Sequence, residues 1–483
     1  MRRDRETARD AGEVEQEDPE VSTLRAERDS LKRDVETLAE RLRETEGSLG
    51  WLLAQKVRQL IDRFAPKGSS RRGFLLRSLS SFRPYLQEGF RTTLRSRVGE
   101  SRENIRLAFL RARSRPDDPP GLEEVLFLSG SFGAMERYRC VHAREQLALR
   151  GIRTTLRREV DDRTELAVAA CDAVVLHRTP FSPKAARVVA AAERLRVPTL
   201  FDIDDLVFDP GVMERIDSIR WMDSAAAALF RESIERYRKT LALCDAALVP
   251  TEPLAEAVRA LGKPAFVHRN APSLELLQLS DAAARSRRPD PSRLVLGYAS
   301  GSRTHNRDFL EASPALLRLF AEEPSAELHV IGYLDLGPEW KPFLPRVRKL
   351  EYVPWRRLPS VLATFDVNLA PLEHGNPFCE AKSELKWVEA AAVSVPTIAS
   401  PTAPYRGAIR HGVDGFLAGA EEEWLEALRE LTRDPARRAS VGAAAKSSLL
   451  ERYHPAVLGR ALAAHLAALR GSRAAVEAAP AGR

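Results

Sequence analysis

Cysteine is scarce in this chain of 483 residues, and its four copies, Cys140, Cys171, Cys244 and Cys379, stand far apart. They form no CxxC pair and no zinc-ligand spacing, which fits a reducing compartment, the cytoplasm, and not a disulfide scaffold. Long apolar runs are missing too. No stretch approaches the roughly 18 apolar residues of a spanning helix, so no membrane span is expected. The opening "MRRDRETARDAGEVEQEDPE" has no apolar core segment, so no signal peptide is expected. Neither a GxGxxG fingerprint nor a Walker loop occurs. What is present is bulk: 44% hydrophobic residues over a length that suits two or three domains.

The net charge of +7 is unevenly placed. Residues 1–49 lean acidic. From Lys56 to Arg115 the only acids are Asp62, Glu88, Glu100 and Glu103, so the basic character belongs to one module. Residues 1–19 read as a charged leader without fixed structure. Over 20–50, Leu24, Leu31 and Leu38 repeat on one seam and Val35, Leu42 and Leu49 on the other, interrupted by Arg28 and Thr45. That is a short coiled-coil signal, open to self-association through 24–49 or to one amphipathic helix on its own protein. Residues 51–121 mix arginines with Trp51, Phe64, Phe74, Phe82 and Tyr85 and end in the linker "RPDDPPG". Such a mix suits an anionic membrane surface, with a nucleic-acid partner or a solvated linker as the competing readings. Membrane contact through 51–115 is the favoured one, and nucleic acid is not expected.

Past residue 121 the pattern changes. "EVLFLSG", "DAVVLH", "VPTLFDIDD" and "DAALVPT" are apolar strand runs with helical stretches between them, including one from about Glu214 to Leu243. After a polar connection near Asp281–Arg293 the alternation restarts with "RLVLGYASGS", "AELHVIG", "LEYVP", "FDVNLAP", "VPTIAS" and "DGFLAG". Strand–helix alternation of this kind implies parallel, doubly wound α/β units. The expected layout is an N-terminal Rossmann-like domain at 122–280, a second at 281–453, a closing helix at 454–470 and a frayed tail at 471–483.

Ligands of open α/β sheets bind beyond the carboxyl ends of the strands. Four such places carry candidate residues. In "GYASGSRTHNRDF", Gly301 and Ser302 offer bare amides before a helix, and Arg303 and His305 add donors for an anion. In "NPFCEAKSELKWVEAAAVSVPTIAS", Lys382 and Ser383 lie near a helix start, while Lys386 and Glu389 share one face. A lysine there suits a phosphate and a glutamate suits a vicinal diol, against the plain alternative of an intrahelical ion pair. In "FDIDDLVFDP", Asp202, Asp204 and Asp205 could supply a base, hold a divalent metal, or cap turns. In "SGSFGAMERYR", Gly133 with Arg137 and Arg139, joined by His177 after "DAVVL", could meet an anionic acceptor or face solvent.

These segments together resemble family-four glycosyltransferases with the GT-B fold, two Rossmann-like domains facing a cleft. "SGSRTHNRDF", "ELHVIGY", "KSELKWVEAAAVSVPTIAS" and "DGFLA" are similar to the nucleotide-binding half, and "RYRCVHAREQLALRGI", "FDIDDLVF" and "CDAALVPTEPLAEAVRALGKPAFVHRNA" to the other. The resemblance spans roughly 122–470. It implies a hexosyltransferase-type enzyme with a nucleotide-sugar donor as cosubstrate and no further cofactor or metal. It also implies that Glu389 holds the ribose, that Arg303 and Lys386 neutralise the diphosphate, and that Lys382 and His305 assist. Family members often carry a glutamate eight residues before this one, and Ala381 stands there instead. Transfer with retention is implied, without a named nucleophile. Asp204 and Asp205 are left as candidates for positioning the acceptor or handling its proton.

The acceptor implied is a glycan or a lipid-linked carrier for cell-surface polysaccharide, reached from the inner face of the membrane. A catalytically silent GT-B scaffold and another GT-B enzyme, such as a sugar-nucleotide epimerase, stay open as alternatives. The base is expected to be read near Tyr352–Pro354.

Overall fold

The computed structural model describes residues 103–112, 121–216, 219, 224–300, 306–350 and 353–478. The expected leader, the heptad segment and most of the basic segment lie outside the described residues. So do Gly301, Ser302, Arg303, His305 and Tyr352.

Two parallel sheets organise the chain. Strands β1 (Glu124–Ser129), β2 (Arg153–Arg157), β3 (Ala173–His177), β4 (Thr199–Asp202), β5 (Ala246–Val249) and β6 (Ala265–Val267) form the first, in the order β2-β1-β3-β4-β5-β6. Strands β7 (Leu294–Ser300), β8 (Ala326–Gly332), β9 (Val347–Leu350), β10 (Val367–Ala370), β11 (Thr397–Ala399) and β12 (Phe416–Leu417) form the second, ordered β12-β11-β10-β7-β8-β9. Each sheet reverses its winding once, between β1 and β3 in the first and between β7 and β10 in the second. A crevice is expected at those two points. This is the two-domain α/β architecture of the GT-B fold.

The inner strands are largely apolar runs because helices cover both faces of each sheet, while the edge strands β2 and β9 are polar and partly exposed. Side chains alternate across the sheet, so one strand feeds two cores. Leu126 and Leu128 join Val174, Leu176 and Phe201 on one face of the first sheet. Val125 and Phe127 join Ala173, Val175 and Leu200 on the other. Leu296, Tyr298, Leu328 and Val330 do the same for the second sheet. Truncating a ring as buried as Phe127 to alanine costs about 3–5 kcal/mol.

Three expected boundaries move. The long helix is described over Ser224–Leu243, and Pro210–Arg215 is a separate 3-10 turn opened by Asp209, whose side chain accepts from the Gly211 amide. The strand expected in "LEYVP" is β9, described over Val347–Leu350, and Val353 and Pro354 are not part of it. The last helix runs Pro455–Ala478 and does not stop at 470. That helix returns to the first sheet, where Leu462, Ala463, Leu466 and Leu469 complete the core around Val125 and Phe127. Its approach requires Gly459: a Cβ there would lie 2.4 Å from the Gln146 carbonyl oxygen.

Polar contacts tie the two domains along one edge. Thr251 Oγ1 donates to the Ala381 carbonyl at 2.9 Å, and Asn270 Nδ2 donates to Ser383 Oγ at 2.9 Å. Asn376 Nδ2 donates to the Arg215 carbonyl at 2.9 Å, and Arg269 meets Glu384 at 2.6 Å. Register brings Ser129, His177 and Asp202 side by side at the carboxyl edge of the first sheet. Ser300 and Gly332 are partners at the carboxyl edge of the second.

Candidate active site

Both carboxyl edges open into one cavity of about 540 Å³, within the usual range for small-molecule sites. The first domain contributes Arg137, Tyr138, Arg178, Asp204 and Asp205 to its lining. The second contributes Ser300, Gly332, Trp355, Lys382, Ser383, Lys386 and Glu389. The side chains singled out in "NPFCEAKSELKW" therefore converge with Asp204 and Asp205 across a single cleft.

Local structure places the second-domain groups. Asn376 caps a short helix, Pro377–Glu380, by accepting from the Phe378 amide at 3.0 Å. Lys382 and Ser383 sit in the turn that follows, and Leu385–Ala392 forms the next helix. Lys386 and Glu389, one turn apart, share its cavity face. The Lys386 ammonium lies 5.1 Å from the Tyr298 ring centroid. Burial, with Lys382 beside it, lowers the Lys386 ammonium to about 8 against the pull of Asp308. Lys382 pairs with Asp308 at 3.4 Å and lies over the Phe378 ring. The buried Asp308 carboxylate also accepts from the Glu373 amide at 3.1 Å and from Cys379 Sγ at 3.2 Å. Gly332 answers a steric need. Its φ is +87°, and a Cβ would stand 2.0 Å from the Ser300 carbonyl oxygen.

On the first-domain side, Arg178 has φ 42°, a left-handed conformation that is unusual for a residue with a side chain. Its guanidinium forks to Asp204 Oδ1 and Asp205 Oδ2, each at 2.5 Å. Burial pushes the Asp204 carboxyl up, and Arg178 with His177 outweighs this and holds it below the usual range. Arg178 thus offsets one of the two charges on Asp204 and Asp205, and Arg139 pairs with Asp202, so all three aspartates of "FDIDDL" are engaged in ion pairs.

The expected anion contacts from "SGSFGAMERYR" separate. Arg139 does not reach the cavity. It is fully buried, donating to Asp202 at 3.0 and 2.7 Å, to the His268 carbonyl at 2.5 Å and to Asn270 Oδ1 at 3.1 Å. His177 is buried with it. Its Nδ1 contacts Asp202 Oδ1 at 2.9 Å, and its Nε2 contacts Ser131 Oγ at 3.0 Å. Burial raises the Asp202 carboxyl, but Arg139 and the His177 bond prevail and leave it at about 2. Gly133, exposed with φ 80°, opens the helix Ala134–Glu136 and does not line the cavity. Arg137 does line it, with its guanidinium 5.2 Å from the Trp355 ring and 5.3 Å from the Tyr138 ring.

Sequence reasoning passed over Tyr138. Residues Arg137–Val141 form a π-helical turn, a rare local form that recurs at functional sites. From it the Tyr138 hydroxyl donates to Glu389 Oε1 at 2.6 Å, across the domain boundary. Burial pushes the Glu389 carboxyl up, while Tyr138, Arg137 and Lys386 pull it down. Trp355, also passed over, is flanked by Arg137 and by Arg356, which lies 4.3 Å away and is anchored by Glu275. Nothing local marks either residue: aromatic side chains at such positions read as core.

Residues 294–434 match the profile of the family described as Glycosyl transferases group 1. Among solved structures, the chain is similar to Anabaena Alr3699/HepE in complex with UDP, at 14% identity over 71% of this chain and 100% of that one, with a TM-score of 0.47. Sucrose-phosphate synthase from Thermosynechococcus elongatus matches at 13% identity over 72% and 100% of the two chains, with a TM-score of 0.47. A glycosyltransferase from Rickettsia africae matches at 9% identity over 72% and 98%, again with a TM-score of 0.47. None of the curated proteins compared matches the chain.

Proposed function

We propose, for a chain whose residues 294–434 form a group 1 glycosyl transferase domain, that the protein moves a sugar from a nucleotide-sugar donor to a glycan or lipid-linked acceptor with retention at the anomeric carbon. One observation carries this reading. The segment with the family match supplies the cavity wall that holds Lys382, Lys386 and Glu389, the side chains suited to a diphosphate and a diol.

In this reading the diphosphate lies against Lys386 and Lys382 at the start of the Leu385–Ala392 helix, where free amides and the helix dipole favour an anion. The Glu389 carboxylate accepts from the ribose hydroxyls. As the bond from the anomeric carbon to the diphosphate breaks, negative charge grows on the departing oxygen, and cations already in place offset it. The acceptor oxygen bonds to the anomeric carbon, and its proton leaves with the nucleoside diphosphate. Asp204 and Asp205, held by Arg178, form the opposite wall and orient the acceptor. The half-buried setting limits water at the reacting centre.

The test is a thermal-shift panel of UDP-, GDP-, dTDP- and ADP-sugars on the full chain, followed by assay of the stabilising donor for released nucleoside diphosphate and for the configuration of the transferred sugar. Stabilisation by one base class with transfer to an added acceptor supports the reading. No stabilisation by any member, or a donor returned with an altered sugar and no transfer, refutes it.

A further inference from the structure

The bond between Tyr138 and Glu389 joins two domains at the residue assigned to the donor. On the donor reading above, on which this step rests, we propose that Tyr138 is a cross-cleft positioning residue: its hydroxyl aligns the Glu389 carboxylate for the donor's vicinal diol and couples donor binding to closure of the cleft.

Geometry carries the argument. An O–H donating to a carboxylate at 2.6 Å is short and charge-assisted, among the stronger protein hydrogen bonds. Tyr138 is placed rigidly for it. Its ring is buried, packs edge-on to His142 at 4.8 Å and projects from the π-helical turn into the cavity. A carboxylate offers about four acceptor positions on its two oxygens, and Tyr138 takes one of them, on Oε1. The remainder accommodate a diol without displacing the tyrosine, which thereby fixes the plane in which that diol must approach.

The same bond forms only with the domains in the arrangement seen here, because Tyr138 precedes β2 and Glu389 follows β10. Opening the cleft would leave Glu389 without its aligning donor. Closure and donor affinity are then linked, and by reciprocity a bound donor favours closure by the same factor. Arg137, next along the π turn and seated over Trp355 of the second domain, makes a parallel bridge at the same point.

The coupling has a proton signature. Glu389 must be ionised to accept both diol hydroxyls. Tyr138, Arg137, Lys386 and Tyr405 are the charged or titratable groups that face it. Burial favours its protonated form, and the Tyr138 hydroxyl opposes that. Removing the hydroxyl therefore extends the protonated range upward, so donor binding fails at a higher pH on the acid side.

The experiment is calorimetric titration of the full chain with UDP, with GDP and ADP run in parallel and dTDP, whose deoxyribose offers no vicinal diol, as the control, from pH 5 to pH 8. Tyr138→Phe keeps the ring and its packing. It is expected to bind the preferred diphosphate roughly tenfold more weakly, the loss of a hydrogen bond to a charged group. Its acid limb is expected to move to higher pH. Should Tyr138→Phe melt early, Glu389→Asp, which withdraws the carboxylate from the hydroxyl, reads the same limb. Wild-type affinity in Tyr138→Phe overturns the proposal, and so does weaker binding with an unmoved limb, which would mark a packing effect. Glu389→Gln separates the two levels of argument: if it binds the diphosphate as wild type does with the limb intact, the donor reading fails at Glu389 itself.

Discussion

Replacing Lys386 with methionine isolates charge from packing. The methionine keeps an apolar stem over the Tyr298 ring, where the ammonium now lies at 5.1 Å, and removes the cation. With its ionisation lowered to about 8, the lysine is protonated roughly ten to one at pH 7, so the charge is available to a diphosphate. A hydrogen bond to a charged group contributes about 1.5–3 kcal/mol, equivalent to about a tenfold to hundredfold loss of affinity. The pH dependence has a definite sign. Deprotonation as pH rises through about 8 removes the cation, so wild-type affinity declines on the alkaline side. Lysine-to-methionine lacks that limb, and Lys386→Arg, charged throughout, stays tight across it. Calorimetry with UDP, GDP, dTDP and ADP between pH 7 and 9 reads all three, and ionisation of the ligand cancels between variants. Unfolding is not a rival explanation, because burying a charge costs stability and methionine relieves that cost, so the melting temperature should hold or rise. Equal affinity of Lys386→Met and wild type at pH 7, or an alkaline decline that persists in the methionine variant, refutes the phosphate assignment.

Three further outcomes are expected. Asp202→Asn leaves the Arg139 guanidinium buried without its carboxylate, and equilibrium unfolding should show a loss of roughly 3–5 kcal/mol; a loss below about 1 kcal/mol, the scale of an exposed pair, would contradict a buried pair. Gly332→Ala forces a Cβ toward the Ser300 carbonyl at a positive φ and should lower stability by about 1–3 kcal/mol, measured by denaturant titration, with weaker nucleotide binding alongside. If residues 51–115 make the expected membrane contact, deleting residues 1–101, which spares the 103–112 helix, lowers recovery in membrane fractions, and undiminished recovery would end that expectation.

The inner strands were legible because each is a largely apolar run bounded by glycine, proline or aspartate, as a sheet covered on both faces requires, whereas the edge strand β2, "RTTLR", is polar and half-buried and gave no such signal. Lys386 and Glu389 were legible as a pair because three positions along a helix always share a face. Arg139 was not, since its fate depends on Asp202, a partner 63 residues away. Tyr138 was further from reach: its partner is 251 residues away, and the π turn that aims it has no signature in residue type. Helix register also misled the reading of neighbouring arginines. Arg137 and Arg139 look equivalent in "ERYRC", yet one lies over a tryptophan in the cleft and the other is sealed inside the first domain.

The return of Pro455–Ala478 to the first sheet has a consequence for biogenesis. Chains emerge from the ribosome amino end first, and domains generally fold as they appear. Here the apolar faces of Val125 and Phe127 must wait for Leu462 and Leu466, which are translated only after the whole second domain. A nascent first domain is thus exposed and aggregation-prone for much of synthesis, and any gene fragment that stops before Pro455 encodes a half-built protein whose missing wall could be restored by supplying the final helix in trans.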